Sequence, residues 1–471
     1  MLNHIVRLAS AAGLLFAVAP ALAQQQPKLS EETLRYVSVN APVIAIIHVK
    51  VVDGTGAPAK NDQTIIIDNG EIQAVGATTG TKVPAGARVI DATGKTIIPG
   101  LVHMHEHLFY PMLAGKAYGY EAESFTKLYL AGGVTSMRTA GAMHFAGDLS
   151  VRDSINAGRQ PGPWIDVTGP YINAPGSVPQ LMTIHTPEQA ARAVDFYTDQ
   201  GATSFKAYTN LTRAELGAAI AAAHRHGLKL TGHLCSVTLR EAADLGIDNI
   251  EHGFMAASDF KADKQPDICP RGAGPTEAEL GADPKKADAL LDYLVQKKVA
   301  YTSTLAVTDT ARHSPGIDVF APDVRAQFEG HRRSPKLSPD APMPSRLRQL
   351  VGFAKAFYDK GGLLLVGTDP TGGGGVVPGY SNHTEIEILV EGGFTFEQAI
   401  KASTMNGATY LGLANRIGSV TAGKQADLVL IDGDPSTHVT DIEKVETVFK
   451  QGVGYDPKRL IDAVRGKAGL Y

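Results

Sequence analysis

The chain has 471 residues, of which 44% are hydrophobic and 20% are charged, a composition ordinary for a soluble globular protein. This length exceeds what one hydrophobic core usually supports, so we expect a large domain with a smaller companion. The formal net charge of −4 offers no long basic stripe for nucleic acid or for an anionic membrane surface. Composition therefore favours small molecules as partners.

The first 23 residues have the pattern of a cleavable export signal. Arg7 supplies a positive charge, residues 8–19 are apolar but too short to span a bilayer, and Ala21-Leu22-Ala23 forms a cleavage site. We predict a signal peptide over residues 1–23 and a periplasmic or secreted mature protein with no membrane insertion after its removal. A lipidated or retained anchor is disfavoured because no cysteine follows Ala23.

The chain contains only two cysteines, Cys235 and Cys269, so it is not a disulfide scaffold. Export would place them in an oxidising compartment, where they pair if the fold brings them within reach. Two unpaired buried thiols are the alternative, and the sequence leaves both open.

Short strands separated by turns occupy both ends of the chain. A helix-like stretch at residues 30–39 is followed by predicted strands at 43–52, 64–68, 72–75, 88–91 and 97–98. Similar strands recur near the other end, at 417–420, 427–432 and 444–450. Because neither group can bury a core alone, we predict one small β-sandwich domain composed of residues 40–98 and 412–460.

Three histidines alternate directly after the last of the N-terminal strands, in the segment Pro99-Gly100-Leu101-Val102-His103-Met104-His105-Glu106-His107. Alternate side chains of a strand share a face, so His103, His105 and His107 should point the same way. Neutral imidazoles that converge are suited to binding a metal ion. A polar strand end with satisfied histidines explains a His-x-His pair equally well when that pair stands alone.

Residues 99–411 alternate between strands and helices. The predicted strands after the histidine segment are 134–137, 165–168, 204–207, 228–231, 249–251, 300–305 and 363–367. Helix starts with capping-box patterns occur at Thr186, Thr212, Thr238 and Thr395. Repeated βα units with about eight strands predict the α/β class and favour a closed (β/α)8 TIM barrel over an open doubly wound sheet.

Four polar residues end otherwise apolar barrel strands: Lys206, His233, His252 and Asp369. TIM-barrel active sites lie at the C-terminal ends of the strands. One such residue is explained by a solvated strand end, whereas four in register with an upstream histidine pair predict a shared site.

These motifs together resemble the amidohydrolase superfamily, and more closely its imidazolonepropionase-like and prolidase-like (Xaa-Pro, Xaa-Arg dipeptidase) branch. The resemblance extends from Val52-Asp53-Gly54 to Asp432-Gly433-Asp434-Pro435 and includes Gly418-Ser419-Val420. The family pattern Pro-Gly-Leu-Ile-Asp-x-His-x-His falls on residues 99–107, where His103 takes the place usually held by Asp.

The resemblance implies two divalent metal ions, for which zinc is favoured and cobalt or manganese are alternatives. A lysine carboxylated by CO2 would bridge them. The implied ligands are His105, His107, the bridging Lys206, His233, His252 and Asp369. For His103 we expect a partner role that orients one of these ligands.

The same resemblance implies attack by a metal-bridging hydroxide, with Asp369 taking the proton and returning it to the leaving amine. Tyr208, two residues beyond Lys206 on the same strand face, is expected to polarise the substrate carbonyl, with a packed tyrosine as the alternative. Arg138 is expected to pair with a substrate carboxylate, although Thr139 replaces the Asp common in relatives. His383 is expected to contact substrate, to orient another residue, or to lie at a helix surface.

The expected function is therefore metal-dependent hydrolysis of amide bonds in small peptides or N-acyl amino acids. One alternative is a mononuclear deaminase or cyclic-amide hydrolase of the imidazolonepropionase kind, against which Lys206 argues because one metal needs no bridging ligand. Another is a catalytically inactive binding protein on the same scaffold, against which the complete ligand set argues. Substrate side-chain specificity, the native metal and assembly into a homo-oligomer are left open.

Overall fold

The structure is a computed structural model that describes residues 27–112, 117–176, 182–272, 274–310, 312, 315–330, 337–338, 341–371 and 375–469. The predicted signal peptide at residues 1–23 lies outside the described residues. Within the described ranges, no helix has the length and apolar character needed to cross a membrane.

The described residues form 21 β-strands, which are numbered in chain order. They are β1 (Val37–Val39), β2 (Val43–Val51), β3 (Lys60–Asp68), β4 (Glu71–Ala77), β5 (Arg88–Asp91), β6 (Thr96–Pro99), β7 (Leu101–Glu106), β8 (Phe109–Met112), β9 (Ala117–Tyr120), β10 (Val134–Thr139), β11 (Trp164–Asp166), β12 (Ile172–Asn173), β13 (Met182–Thr183), β14 (Ser204–Ala207), β15 (Lys229–Gly232), β16 (Asn249–Glu251), β17 (Ala300–Ser303), β18 (Leu364–Val366), β19 (Leu428–Ile431), β20 (Val445–Lys450) and β21 (Val453–Tyr455).

The α-helices follow the same order. They are α1 (Glu31–Leu34), α2 (Ser124–Ala131), α3 (Phe145–Asn156), α4 (Pro187–Asp199), α5 (Arg213–Arg225), α6 (Leu239–Leu245), α7 (Glu277–Gly281), α8 (Pro284–Gln296), α9 (Pro322–Gly330), α10 (Ser345–Asp359), α11 (Tyr380–Glu391), α12 (Phe396–Ser403), α13 (Met405–Tyr410) and α14 (Pro457–Val464). Threonine side chains cap α4, α5, α6 and α12 at Thr186, Thr212, Thr238 and Thr395, so these four predicted helix starts are confirmed.

A nine-stranded sheet joins strands from both ends of the chain in the order β1-β21-β20-β19-β6-β2-β3-β4, with β5 beside β2. Alternation along β19 fixes how this sheet is buried. Leu428 and Leu430 pack into the core of the sheet, whereas Val429 and Ile431 pack into the larger core of the remaining chain. The face of β19 that carries Val429 and Ile431 therefore packs the sheet against the rest of the molecule.

Two local predictions at this sheet are wrong. The helix expected over residues 30–39 stops at Leu34, because the β-branched residues Val37 and Val39 pair with β21 instead. The strand expected over residues 417–420 does not form, because Gly418 adopts a φ of +86° and lies against Ala408, which turns the chain.

The central region has a TIM-barrel-type α/β arrangement in which parallel strands alternate with helices. Its strands pair as two sheets, β11-β10-β7 and β13-β12-β14-β15-β16-β17-β18, rather than as one continuous ladder. Backbone hydrogen bonds join the two sheets at two places. Gly169 N, beyond β11, donates to Ser204 O on β14 at 2.9 Å, and Thr368 N, beyond β18, donates to His105 O on β7 at 3.1 Å. The ends of β7 and β18 are therefore held side by side.

Cys235, just beyond β15, forms a disulfide with Cys269, which lies between β16 and α7. The segment around Cys269 is also held by Asp267, whose carboxylate accepts two hydrogen bonds at 3.0 Å from the Arg213 guanidinium. Together these contacts tie the segment to the ends of β14 and β15.

Replacing both cysteines by serine should lower the free energy of unfolding by about 3–4 kcal/mol, because the bond closes a loop with a sequence separation of 34. Chemical unfolding of the wild type and of Cys235→Ser/Cys269→Ser under non-reducing conditions measures this difference. Reductant should destabilise the wild type and leave the variant unchanged. Equal stability of both proteins would contradict the expectation.

Candidate metal centre

A β-bulge in β7 separates the three alternating histidines. Along β10, Met137 lies opposite His103 and Thr139 lies opposite Glu106, so two residues of β7 face the single residue Arg138. A bulge of this kind reverses the alternation of side chains beyond it. Strict alternation therefore predicts the wrong face of β7 for residues on one side of the bulge.

The contacts of His103 and His105 show the result. His103 Nδ1 lies 2.7 Å from Asn382 Nδ2 on α11 and 3.1 Å from Glu106 Oε1, on the helix side of the strand. His105 Nδ1 lies 2.7 Å from Glu251 Oε2 on β16, on the opposite side. The prediction that all three histidines point the same way is therefore wrong for His103.

His105, His107 and Asp369 form a compact group whose ligand atoms all lie within 4.8 Å of one another. Asp369 Oδ1 is 3.4 Å from His107 Nε2 and 3.9 Å from His105 Nε2, and Asp369 Oδ2 is 3.9 Å from His252 Nε2. Asp369, just beyond β18, thus lies among imidazoles supplied by the ends of β7 and β16.

Lys206 and His233 lie next to the same group. Lys206 Nζ is 3.1 Å from His105 Nε2, and the ring centroids of His233 and His252 are 4.5 Å apart. The structure therefore brings together all six residues that the family resemblance implies as ligands, at the C-terminal ends of β7, β14, β15, β16 and β18.

Two of these residues have a strained backbone conformation that sets the direction of their side chains. His252 and Asp369 have φ values of +62° and +52°, in the left-handed region, where a non-glycine residue costs about 1–3 kcal/mol. Gly367 lets β18 approach β7, since a Cβ there would lie 2.4 Å from His105 Cβ. The surrounding contacts hold both residues in this conformation and turn their side chains toward the group.

Burial sets the protonation states of the group. Desolvation lowers the pKa of His107 to about 4 and that of His233 to about 3. Desolvation also lowers the pKa of Lys206 to about 8. Burial alone would raise the pKa of Asp369, but its hydrogen bond with His107 and its electrostatic interactions with the neighbouring histidines hold that pKa well below its usual range.

These protonation states suit a cation. His107, His233 and His252 have lowered pKa values and are neutral near pH 7, and the Asp369 carboxylate is ionised, which are the forms that bind metal ions. His252 Nε2 is buried and has no hydrogen-bond partner among the described atoms, although it lies near Asp369. Such an unsatisfied nitrogen is what a bound cation would complete, so the residues present fit a divalent metal.

Arg138 does not reach the group from the cleft, and its predicted contact with a substrate carboxylate is wrong. Its side chain is 1% exposed. Its guanidinium donates to Glu251 Oε1 at 3.0 Å, to Thr231 Oγ1 at 2.9 Å and to Ser204 Oγ at 3.1 Å. Arg138 instead neutralises Glu251 beneath the site.

Glu251 was missed in the sequence, although a charged residue directly before His252 in an apolar strand was an available signal. Burial would raise the pKa of Glu251, but His105, Arg138 and Lys206 hold it well below its usual range. By accepting from His105 Nδ1, the ionised carboxylate fixes the ring so that Nε2 faces Asp369 and Lys206.

Two further predicted site residues lie in different places: His383 on α11 and Tyr208 beside the candidate ligands. His383 is buried on α11 and its Nε2 donates to Gly132 O at 2.8 Å, a contact that packs α11 against the end of α2. Tyr208 lies beside the group, with its ring centroid 4.9 Å from that of His233. Burial and the charge of Asp369 raise the pKa of Tyr208, so its phenol stays protonated and can donate a hydrogen bond.

Tyr171 and Thr304 also contact the histidines and were missed in the sequence. Tyr171 OH is 3.4 Å from His107 Nε2, and Thr304 Oγ1 is 2.7 Å from His252 Nδ1. Thr304 directly follows β17, the kind of position that pointed to the other site residues, whereas Tyr171 lies between β11 and β12.

Residues 96–454, about three quarters of the chain, match the model of the Amidohydrolase family. The chain belongs to the amidohydrolase family. The predicted superfamily is confirmed. At the level of this family, the prediction of a metal-binding hydrolase of carbon–nitrogen bonds is confirmed as well.

Individual relatives agree with this family. The chain is 34% identical to imidazolonepropionase of Clostridium tetani over 113 residues, which cover 22% of this chain and 26% of that protein. It is 24% identical to imidazolonepropionase of Streptomyces griseus over 423 residues, covering 85% and 94%. A Xaa-Pro dipeptidase solved with bound methionine superposes with a TM-score of 0.66 at 21% identity, covering 88% of this chain and 100% of that one.

If Glu251 orients His105, then Glu251→Gln should weaken metal binding by about 10- to 100-fold while preserving the shape of the side chain. Competition of the amidohydrolase with a chelator of known affinity measures the change. The exposed Glu188 on α4 offers a matched control, and Glu188→Gln should bind metal as the wild type does. Unaltered affinity in Glu251→Gln would argue that the carboxylate only neutralises Arg138.

Proposed function

We propose that this amidohydrolase cleaves the amide bonds of small peptides or N-acyl amino acids with a binuclear metal centre. The observation that carries the proposal is the convergence of Lys206 and four histidines around Asp369. The similarity to a Xaa-Pro dipeptidase supports a peptide-like substrate. Arg138 was expected to bind a free carboxylate on such a substrate, but it is buried beneath the site and does not fill this role.

The residues divide into two ligand sets in this proposal. His105, His107 and Asp369 would hold one divalent ion, His233 and His252 the other, and Lys206, carboxylated on Nζ, would lie between them. Zinc is preferred because the donors are imidazole nitrogens and carboxylate oxygens. When bound, the metals would polarise the scissile carbonyl as Lewis acids and lower the pKa of water.

The protein side chains would move the proton and stabilise the developing charge. Asp369 is ionised and lies among the imidazoles, so it accepts the proton of the attacking water and returns it to the leaving amine. The protonated phenol of Tyr208 donates a hydrogen bond to the carbonyl oxygen as negative charge develops on it. Glu251, held by Arg138, keeps His105 in place throughout.

The proposal extends to the organisation of the whole protein. Eight of the ten strands in the two parallel sheets would close into a (β/α)8 barrel over residues 99–411, supported by the hydrogen bonds that join the sheets. The eight strands are β7, β10, β11, β14, β15, β16, β17 and β18. The nine-stranded sheet would belong to a β-sandwich domain of residues 40–98 and 412–460. A signal peptide at residues 1–23 would direct the protein to the periplasm or beyond the cell and would then be removed.

A mononuclear deaminase or cyclic-amide hydrolase is the second candidate, and the similarity to imidazolonepropionases favours it. The metal-loaded mature protein should be assayed against dipeptides, N-acyl amino acids and cyclic amides, with separate detection of amine and ammonia. Release of an amine other than ammonia from linear amides supports the proposal. Ammonia alone, or turnover restricted to cyclic amides, supports the second candidate, and no turnover supports a binding protein.

Chelation should abolish hydrolysis, and added Zn2+ should restore it. Metal analysis of the restored enzyme should give two ions per chain, falling to one in Lys206→Ala because the bridging ligand is lost. The exposed Lys28 provides a control, since Lys28→Ala should retain two ions. One ion per wild-type chain, with Lys206→Ala fully active, would rule out the binuclear arrangement.

Replacing Tyr208 by phenylalanine should lower kcat by about 100-fold with little change in KM, because it removes a hydrogen bond that matters most in the transition state. Steady-state kinetics on the best amide from the assay measures both constants. A kcat equal to that of the wild type would reduce Tyr208 to a packing role at the rim.

A further inference from the structure

A hairpin follows directly on the metal centre. Strands β8 and β9 pair antiparallel, with Phe109 opposite Tyr120 and Pro111 opposite Tyr118. Phe109 lies two residues beyond His107, and the centroids of their rings are 4.7 Å apart. The hairpin therefore begins at a candidate ligand and carries aromatic side chains beside it.

Four aromatic side chains form a contiguous surface that we name the aromatic wall: Phe109, Tyr118, Tyr171 and Tyr208. The ring centroids of Tyr118 and Phe109 are 5.4 Å apart, those of Phe109 and Tyr171 are 6.5 Å apart, and those of Tyr171 and Tyr208 are 5.4 Å apart. All three pairs meet edge to face, the geometry that aromatic rings prefer.

The aromatic wall spans the group from one candidate ligand set to the other. Its Phe109 lies against His107, and its Tyr208 lies against His233 at 4.9 Å between centroids. Phe109 and Tyr171 are each only 5% exposed, whereas Tyr118 and Tyr208 are partly exposed. The inner rings therefore fix the outer two, which are available to a bound molecule.

The aromatic wall carries no formal charge. Phe109 contributes a phenyl ring and the three tyrosines contribute phenols, which are uncharged groups near neutral pH. Arg138, the residue expected to pair with a substrate carboxylate, is enclosed beneath the site. A substrate group in contact with this side of the site meets ring edges, ring faces and phenol hydroxyls.

We propose that the aromatic wall determines substrate specificity and selects amides that carry an aromatic ring next to the scissile bond. This inference rests on the proposed amide hydrolysis and adds the class of side chain that the site accepts. An aromatic substituent can extend the edge-to-face series of the aromatic wall, whereas a saturated ring of the same size gains only apolar contact.

The test compares substrates that differ only in aromaticity. N-benzoylglycine is paired with N-cyclohexanecarbonylglycine, and N-acetylphenylalanine with N-acetylcyclohexylalanine, so that the ring lies on either side of the amide. The metal-loaded enzyme should prefer the aromatic member of at least one pair by roughly twofold to tenfold in kcat/KM. Because ring contacts bind ground and transition states alike, the difference should appear in KM.

Three variants assign that preference to the aromatic wall. Tyr118→Ala should abolish the preference, and Tyr118→Phe, which keeps the ring, should retain it. Phe196→Ala removes a ring that is 56% exposed on α4 and should behave as the wild type. Equal turnover of both members of each pair, or a preference that survives in Tyr118→Ala, would overturn the proposal.

A binding measurement keeps this inference separate from the proposed function. If no amide is hydrolysed, the proposed function fails, and thermal stabilisation by phenylalanine is then compared with stabilisation by cyclohexylalanine. Greater stabilisation by phenylalanine that is lost in Tyr118→Ala supports the aromatic wall as a ligand surface. Equal stabilisation by the two amino acids, or none by either, overturns it.

Discussion

The close approach of β7 and β18 is the constraint on which the rest of the site depends. Gly367 has no side chain and so allows β18 to lie against His105, whose carbonyl accepts hydrogen bonds from both Thr368 N and Asp369 N at 3.1 Å. This seam fixes the distance between the first histidine pair and the carboxylate. Any side chain at position 367 would move the two strands apart and separate the residues that a metal ion must join.

Charge pairing beneath the seam is the second requirement. A buried carboxylate or guanidinium is costly unless it is paired and hydrogen-bonded, and Glu251 and Arg138 satisfy each other. Because Glu251 also accepts from His105, the ion pair both neutralises the interior and orients a ligand. Because Arg138 pairs with Glu251, its side chain lies inside the barrel and not in the cleft, although the residue is near the end of β10.

The sequence predicted the strand-end residues because one rule, that parallel strands present their C-terminal ends together, needs no knowledge of distances. The prediction for His103 was wrong because a bulge depends on how β7 pairs with β10, and alternation within β7 does not reveal that pairing. The prediction for Arg138 was wrong because the partner, Glu251, is 113 residues away in sequence. The aromatic wall was missed for the same reason, since its rings come from segments that meet only in the fold.

The unusual histidine at position 103 acts on the site through the helix side of β7. His103 contacts Glu106, which also accepts hydrogen bonds from Asn382 on α11 and from the Thr368 hydroxyl. Thr368 precedes Asp369, whose left-handed backbone conformation must be held by its neighbours. His103 is therefore connected to the backbone that carries Asp369 through Glu106 and Thr368.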